Sequence, residues 1–454
     1  MLVKGDISMS YAYWEKENNI EKNLKKISFE GEIESSGIPV IYDKNGCYIT
    51  KGIAHSLIVG STGSGKTQAL ILPLIRLSLR ANESLIVNDN RGDIYERTAA
   101  DFIKNGYNVI VLDFDKSMYG NSWNPLILPY EEYKNNHKDI ASKLLEYLSY
   151  YLFNDEKNTN TDPFWIESVC NYFTGLCLYL FDNYNKEEIN LANVFKLSTK
   201  VIKDSNFLKT IGEDNIIYYS LSSILEAPEE TKLSITTMFN QKMKKYLANE
   251  NLSNMMLTSD FDISKITTEK TIIYIINGYH NYGNNLTPLF ISQVIESTNL
   301  LPSHNKKLNI VLDEFDRLLP IKDFQEIINY SRSLNICFTV VIRSYLDLVN
   351  TYGKENIELI KMCFANIIYL LSNDIYTLNE ISSLCGNKEE NNKISPLITV
   401  EELKTLKPFE AIYLLIRNMP FKTTLTPDWR LFPNSGTQNL PLPERKNNSY
   451  QKIS

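Results

Sequence analysis

The chain has 454 residues, of which 43% are hydrophobic and 22% are charged, and its formal net charge at pH 7 is −7. This composition is ordinary for a globular protein with a large core, and the length is enough for two or three domains. The negative charge excludes a globally basic protein, so any contact with nucleic acid must use a local basic surface.

The cysteines and histidines show no pattern of a metal site or a disulfide framework. The six cysteines are irregularly spaced without a C-x-x-C pair, and the four histidines are far apart in sequence. This pattern favours reduced thiols and argues against structural zinc. The N-terminus is polar, unlike a signal peptide, and no apolar stretch reaches the ~20 residues of a membrane helix. We therefore expect a cytoplasmic protein whose contact with a membrane comes from a partner.

The first 36 residues are charged and mixed, and we expect a peripheral arm with a short helix at 20–27. Two β-like runs follow at 38–42 and 47–50, on either side of Asn45-Gly46. Because Asn-Gly tolerates the positive φ angles of a tight turn, this pattern predicts a β-hairpin.

Residues 60–67 fit the phosphate-binding P-loop, G-x-x-x-x-G-K-[ST]. The apolar run before them predicts a buried strand, and the residues after them begin a helix that Pro73 bends or delays. Glycines let the backbone curve around an anion, and the helix N-terminus adds partial positive charge. We expect Lys66 to reach the β- and γ-phosphates of a nucleotide and the Thr67 hydroxyl to bind Mg²⁺. The expected nucleotide-binding residues are Gly60, Ser61, Thr62, Gly63, Ser64, Gly65, Lys66 and Thr67.

The alternative for this segment is a glycine- and serine-rich turn that matches the motif by chance. The pattern of the following residues argues against it. Strand-like runs at 84–88 and 108–112 end in Asp89 and Asp113, with a helical pattern between them. Continuous apolar strands that alternate with helices predict a parallel sheet covered on both faces. Ligands of such sheets bind at the carboxyl ends of the strands, where both aspartates lie.

The pattern becomes helical from about residue 126 to 270. Asp162 and Pro163 are typical of a helix start, 164–181 predicts a buried helix, and 231–247 predicts a second long one. Strand-like runs resume at 271–277, 308–312, 336–342, 366–371 and 410–416, and a polar tail follows that we expect to be disordered. We predict an N-terminal arm (1–36), a nucleotide-binding domain in two parts (37–126 and 271–432), an inserted all-α domain (127–270) and a polar tail (433–454).

The strand at 309–312 ends in Asp313 and Glu314, which is a Walker B pattern. Asp313 would hold Mg²⁺ directly or through water, and Glu314 would orient and polarise the attacking water. The alternative is two surface acids after an edge strand. Arg343 follows the next strand, beside the expected γ-phosphate, and Arg332 precedes that strand. Either arginine is a candidate finger into a neighbouring subunit's site, and surface or ion-pair roles are equally open.

Several further motifs carry a resemblance to a known family. They are the runs at 88–95, 106–109, 121–126, 162–165, 313–318, 331–336 and 352–353. With the P-loop, they resemble the type IV coupling proteins of bacterial conjugation and type IV secretion, within the FtsK–HerA superfamily of DNA-pumping P-loop ATPases. The resemblance spans about 46–417.

The resemblance implies an α/β fold: a RecA-like P-loop ATPase with a parallel-rich central sheet and an inserted all-α domain. It implies a homohexameric ring that uses ATP and Mg²⁺ to move DNA or a relaxase–DNA complex to a secretion channel, with the all-α domain facing the relaxosome. Three departures stand out: the N-terminal membrane helices of the family are missing, and Arg91 and Arg343 stand where lysine and glutamine are usual. Recruitment to the inner face of the cell membrane would then need a secretion-channel or membrane-anchor protein.

Two other functions fit parts of the pattern. One is a nucleotide-gated substrate receptor with little hydrolysis, which Lys66 and Glu314 together disfavour. The other is a helicase or another DNA-translocating ATPase. Too little chain follows Asp316 for a second motor domain, and no basic groove with interleaved aromatic residues is evident. Because no anchor is present in the sequence, we also expect the ring to form only with ATP or DNA.

Overall fold

A nine-stranded, mostly parallel sheet forms the centre of the protein, in a computed structural model that describes residues 11–154, 162–278, 282–301, 306–433, 440–445 and 452–453. Its strand order is β14-β13-β10-β4-β9-β8-β5-β7-β6, and only β13 and β14 run antiparallel to their neighbours. The strands of the chain are β1 Lys25–Ser28, β2 Pro39–Tyr42, β3 Gly46–Ile49, β4 Ser56–Gly60, β5 Ser84–Asn88, β6 Asn108–Asp113, β7 Thr271–Ile276, β8 Leu308–Leu312, β9 Ile336–Ile342, β10 Asn366–Leu371, β11 Asn387–Glu390, β12 Lys393–Pro396, β13 Glu410–Leu415 and β14 Phe421–Thr424.

Helices cover both faces of this sheet. Adjacent strand residues such as Leu57 and Ile58 point to opposite faces and belong to two separate buried clusters. The predicted parallel α/β sheet is therefore confirmed. The helices are α1 Glu17–Ile20, α2 Leu72–Arg80, α3 Asp93–Lys104, α4 Ile127–Lys134, α5 Lys138–Phe153, α6 Pro163–Asn183, α7 Leu191–Lys203, α8 Ile216–Leu225, α9 Glu229–Leu247, α10 Glu250–Met255, α11 Tyr282–Asn299, α12 Phe324–Ser331, α13 Tyr345–Tyr352, α14 Lys354–Met362, α15 Ile375–Cys385, α16 Val400–Lys404 and α17 Asp428–Leu431.

The N-terminal region differs from the expectation of a helix at 20–27. Helix α1 ends at Ile20, and β1 pairs with β3, so that Ile27 lies opposite Cys47. Ile27 becomes 95% buried in this small sheet, and strand pairing overrides the weak local helical pattern. The hairpin of β2 and β3 is confirmed.

Helices α4–α10 lie between β6 and β7, which are neighbours in the sheet. Asp162 accepts a hydrogen bond from the Phe164 N–H (3.0 Å), as expected for the N-cap of α6. The buried residues of this helical region share one hydrophobic cluster with a face of the sheet. The division into domains stays a prediction. The predicted tail lies largely outside the described residues, although Pro441 accepts a hydrogen bond from Tyr95 Oη (3.2 Å).

A membrane-spanning helix is not found: in the described part of the chain, every helix is too short or too polar to cross a bilayer.

A buried ion pair fixes α17 to the helix that follows the P-loop. Arg76 of α2 contacts Asp428 through Nε (2.8 Å) and Asp101 through Nη1 (2.7 Å), and the Arg76 and Asp428 side chains are only 6% and 8% exposed. Because the substitution Arg76→Met would leave a buried carboxylate without its partner, we expect it to lower the free energy of unfolding by about 3–5 kcal/mol. Urea denaturation would measure the loss.

The control for this prediction is Glu34→Gln, which breaks the pair of Lys25 with a carboxylate that is 87% exposed. We expect no measurable change in the denaturation midpoint there, because ion pairs exposed to solvent contribute little. Equal denaturation midpoints for Arg76→Met and the control would contradict the structural role of the buried pair.

Candidate active site

The P-loop connects β4 to α2 at the carboxyl edge of the sheet. Gly63 and Gly65 have φ angles of +82° and +93°, which glycine adopts without strain. The Ser61 N–H donates to the Leu371 carbonyl (2.7 Å), which ties the loop to the end of β10. A π-helical turn, Thr67–Ile71, precedes α2, and Pro73 occupies the first turn of that helix. Helical structure therefore begins directly after the P-loop, and the regular α-helix begins only at Leu72, one residue before Pro73.

Lys66 lies folded back on this loop. Its Nζ donates hydrogen bonds to the Gly60 and Ser61 carbonyls, the second at 3.0 Å. Burial lowers the pKa of Lys66, and nearby carboxylates, Asp313 foremost, oppose that shift. The ammonium is thus placed between the P-loop and the end of β8, and a bound phosphate would compete for its hydrogen bonds.

Asp313 follows β8 and is partly buried. Its Oδ1 accepts a hydrogen bond from the Glu314 N–H (3.0 Å). Burial raises the pKa of Asp313 to about 6. Burial favours either a proton or a cation on this carboxylate, so the site fits Mg²⁺.

The cleft at this position has a volume of about 180 Å³ and brings together Lys66, Thr67, Asp313, Glu314 and Arg343. The described residues contain no cluster of three or more His, Cys, Asp or Glu side chains able to hold a metal by itself. Oxygen atoms from a bound phosphate would therefore complete the coordination of an ion held by Thr67 and Asp313.

Glu314 is held in place by two side chains. Its backbone is left-handed, with φ +50°, and its Oε2 accepts hydrogen bonds from Asn90 Nδ2 and from Arg317 Nη1 (2.7 Å). Asn90 was not among the predicted site residues. The available signal was its position directly after β5, because β5 and β8 are parallel neighbours and their carboxyl ends meet.

Comparison with known proteins identifies the family. The family described as "Type IV secretory system Conjugative DNA transfer" matches residues 3–408. The chain belongs to this family. A search of curated proteins finds no match. The predicted resemblance to type IV coupling proteins is thus confirmed at the level of the family, which is that of conjugative DNA transfer.

Solved structures share the fold of this DNA-transfer chain at low sequence identity. The plasmid coupling protein TrwB, in complex with ADP and Mg²⁺, matches with a TM-score of 0.68 and 14% identity over 92% of this chain and 94% of that one. TrwB in complex with the ATP analogue ADPNP gives 0.66 and 13% over 98% and 97%. VirB4 of Thermoanaerobacter pseudethanolicus gives 0.54 and 13% over 87% and 98%. The predicted RecA-like fold is confirmed.

Arg343, one of the departures from the usual family pattern, forms an ion pair. Its Nε and Nη2 contact Asp316 Oδ2 at 2.8 and 2.6 Å, and Asp347 lies 3.7 Å away. The Asp316 side chain is fully buried, and its Oδ1 lacks a hydrogen-bond partner in the part of the chain that the structure describes. Arg343 therefore lies at the rim of the cleft with its charge already paired. Its roles in sensing or catalysis stay predictions.

Arg332 does not lie near the cleft of its own chain. It is an exposed residue at the end of α12, before β9, whereas the P-loop and Arg343 lie at the carboxyl ends of the strands. The seven residues of β9 separate the two arginines by roughly 20 Å. Arg332 therefore does not line this cleft, and its role as a finger into a neighbouring subunit's site stays a prediction beside a surface or ion-pair role.

The two aspartates at strand ends have different positions. Asp89 lines the cleft, but its carboxylate accepts hydrogen bonds from the N–H groups of Gly92, Ile94 and Tyr95 (2.8–3.0 Å) at the start of α3. Burial raises the pKa of Asp89 to about 7. Asp113 ends β6, three strands from Asp313, and does not line this cleft. Asp89 thus positions the Asn90–Gly92 loop.

The raised pKa of Asp313 predicts pH-dependent metal binding. Without a cation, its stabilising contribution is fully present below pH 4, where it is protonated, and is lost as the pH rises through about 6. Because Mg²⁺ requires the carboxylate, we expect its affinity with ADP to fall about tenfold from pH 7 to pH 5. Calorimetric titration at each pH measures this. In the variant Asp313→Asn, only the pH dependence that comes from ADP itself should remain. A pH profile of Mg²⁺ affinity identical to that of the wild type would contradict the assignment of Asp313 as a metal ligand.

Proposed function

We propose that the chain hydrolyses ATP in this cleft and uses the reaction to recruit and move DNA or a relaxase–DNA complex to a type IV secretion channel. The observation that carries the proposal is the partly buried Asp313 carboxylate, which lies in one cleft with Lys66 and Thr67. Two findings support it: the family is that of conjugative DNA transfer, and TrwB of the same fold was solved with ADP and Mg²⁺ and with ADPNP.

Each residue of the cleft has a defined task in this proposal. The backbone N–H groups of 60–67 cradle the phosphates, and Lys66 leaves the Gly60 and Ser61 carbonyls to contact the β- and γ-phosphates. The Thr67 hydroxyl and Asp313 hold Mg²⁺, which neutralises charge on the phosphates when bound. Glu314 orients the attacking water and takes up its proton.

The two arginines complete the site in a homohexameric ring. Arg332 is exposed and far from its own cleft, so we assign it to the cleft of a neighbouring subunit. Such an arginine finger stabilises the transition state of phosphoryl transfer. Arg343 lies beside the γ-phosphate and senses its presence through the ion pair with Asp316. We expect the ring to form only with ATP or DNA, and a hexamer of the nucleotide-free chain in light scattering would contradict this.

A test of Arg343 follows from its ion pair. The substitution Arg343→Gln restores the residue usual in the family but removes the partner of the fully buried Asp316 side chain. We expect a loss of about 2–3 kcal/mol in the free energy of unfolding, less than for a fully enclosed pair because Arg343 is 44% exposed. Adding Asp316→Asn should recover most of it in urea denaturation. No recovery would show that Asp316 is not the group left unpaired.

A nucleotide-gated receptor with little hydrolysis is the second candidate. The observation that favours it is the restrained state of the cleft, in which Glu314 is bound to Asn90 and Arg317 and Lys66 to the P-loop carbonyls. Such a receptor would change its conformation when the nucleotide binds and would hydrolyse ATP only slowly. In either case, secretion-channel or membrane-anchor proteins are the proposed partners that place the chain at the inner face of the membrane.

The rate of ATP hydrolysis with and without single- and double-stranded DNA separates the two candidates. A motor predicts turnover that DNA stimulates and that Asp313→Asn abolishes. ATP binding without turnover, unaffected by either DNA, would contradict the motor and favour the receptor.

A further inference from the structure

An aromatic pair stands beside the P-loop, on the side away from Asp313 and Glu314. From β4, the strand order runs through β9 to β8 in one direction and through β10 to β13 and β14 in the other. Because β13 is antiparallel to β10, its first residue lies at the same edge as the carboxyl end of β10. Glu410 at the start of β13 pairs with Thr424 at the end of β14. The residues just before β13 and just after β14 are therefore at the P-loop edge.

Phe409 precedes β13 and packs directly on the P-loop. A Cβ atom added to Gly65 would lie 2.9 Å from Cε1 and 3.1 Å from Cδ1 of the Phe409 ring. Only glycine at position 65 allows this close approach. Phe409 itself has a left-handed backbone, with φ +67°, and its carbonyl accepts a hydrogen bond from the Leu425 N–H (2.9 Å). A bulky residue in this conformation marks local strain that the surrounding contacts maintain.

Trp429 of α17 extends the aromatic surface into solvent. Its ring centroid lies 5.8 Å from that of Phe409 at an interplanar angle of 70°, and its side chain is 51% exposed. The preceding residue, Asp428, is held by the buried ion pair to Arg76. Helix α17 also packs against α2 and the π-helical turn after the P-loop. Trp429 is thus an exposed aromatic ring on a firmly anchored segment.

Phe409 and Trp429 lie on the side of the P-loop opposite Asp313 and Glu314. In the proposed function, the γ-phosphate faces Asp313 and Glu314, so the nucleoside leaves the P-loop on the opposite side. We propose that Phe409 and Trp429 form an aromatic wall on which the base of the nucleotide stacks. Stacking uses the π-face that every base has, so the wall discriminates little between nucleotides with different bases. This inference rests on the proposed nucleotide site and adds its base-binding part.

The test compares ATP with tripolyphosphate, which has the phosphates but no base. For Trp429→Ala, we expect the affinity for ATP to fall about 5- to 100-fold, the range of one aromatic–base contact, while that for tripolyphosphate stays within about twofold. Trp429→Phe retains a ring and should recover most of the loss. The matched control is Tyr219→Ala. Tyr219 is an aromatic residue of α8 that is 64% exposed and lies far from Trp429 in the sequence. Calorimetric titration measures all four proteins.

The outcomes separate this inference from the proposed function. Binding of tripolyphosphate and ATP by the wild type, with no effect of Trp429→Ala on either, would overturn the aromatic wall and leave the phosphate site in place. Equal losses for both ligands, with a change of oligomer size, would make the pair a subunit contact and also overturn it. Failure of the wild type to bind either ligand would overturn the proposed function and the wall with it.

Discussion

Replacing Glu314 with glutamine is expected to reduce the rate of ATP hydrolysis about 10²- to 10⁴-fold while ATP still binds. The amide keeps the size of the side chain and its hydrogen bond with Asn90, but it cannot take up a proton from the attacking water. The affinity for ATP should change little, because the Glu314 carboxylate contacts Asn90 and Arg317 rather than the P-loop. Phosphate release and equilibrium binding measure the two quantities separately.

The control for this variant is Arg317→Ala. It removes the other partner of Glu314. In this ion pair the Arg317 side chain is 41% accessible and the Glu314 side chain is 29% accessible. Such a pair contributes about 0–1 kcal/mol, so turnover should stay within about fivefold of the wild type. Equal turnover in Glu314→Gln and the wild type would show that Glu314 does not activate the water.

Replacing Lys66 with alanine is expected to lower the rate of ATP hydrolysis about 10²- to 10³-fold. This is the typical effect of losing one preorganised hydrogen-bond donor that stabilises the transition state. Unlike Glu314→Gln, Lys66→Ala should also weaken ATP binding about 10- to 100-fold, because a charged hydrogen bond to phosphate is lost. The nucleotide-free fold should tolerate the change, since the Gly60 and Ser61 carbonyls lose hydrogen bonds that a water molecule can replace.

The matched variant is Lys66→Arg, which keeps the charge. The retained charge should restore part of the ATP affinity that Lys66→Ala loses. Because a planar guanidinium does not fit a point-charge site on the P-loop, we expect turnover to stay at least tenfold below that of the wild type. ATP binding by Lys66→Ala that equals the wild type would contradict the position assigned to the ammonium.

The elements that the sequence predicts well depend on short-range patterns. The P-loop, the Asp313–Glu314 pair and the Asn45-Gly46 turn are each defined within eight residues, and continuous apolar runs identify the buried strands. The structure places Lys66 and Asp313 in one cleft because both follow parallel strands with β9 alone between them. The rule that ligands bind at the carboxyl ends of parallel strands was sufficient to predict that these two residues share a cleft.

The elements that the sequence does not predict depend on contacts between distant segments. The helix expected at 20–27 is wrong beyond Asn23, where Lys25–Ser28 pair with β3 as a strand, a contact that local propensity does not contain. Asn90 meets Glu314 across 224 positions of sequence, and only the strand order brings them together. Phe409 reaches the P-loop and Trp429 packs on Phe409 because β13 begins and β14 ends at the P-loop edge of the sheet. Direction and order of strands are set by the packing of the whole sheet.

Displacement of the third strand from a DNA triplex tests most directly whether ATP turnover moves DNA. We expect the wild type to release the third strand faster with ATP than with ADP. Glu314→Gln with ATP should release it no faster than the wild type does with ADP. Wild-type protein that hydrolyses ATP in the presence of this DNA, yet releases the third strand at the same rate with ATP and ADP, would contradict the movement of DNA by ATP turnover.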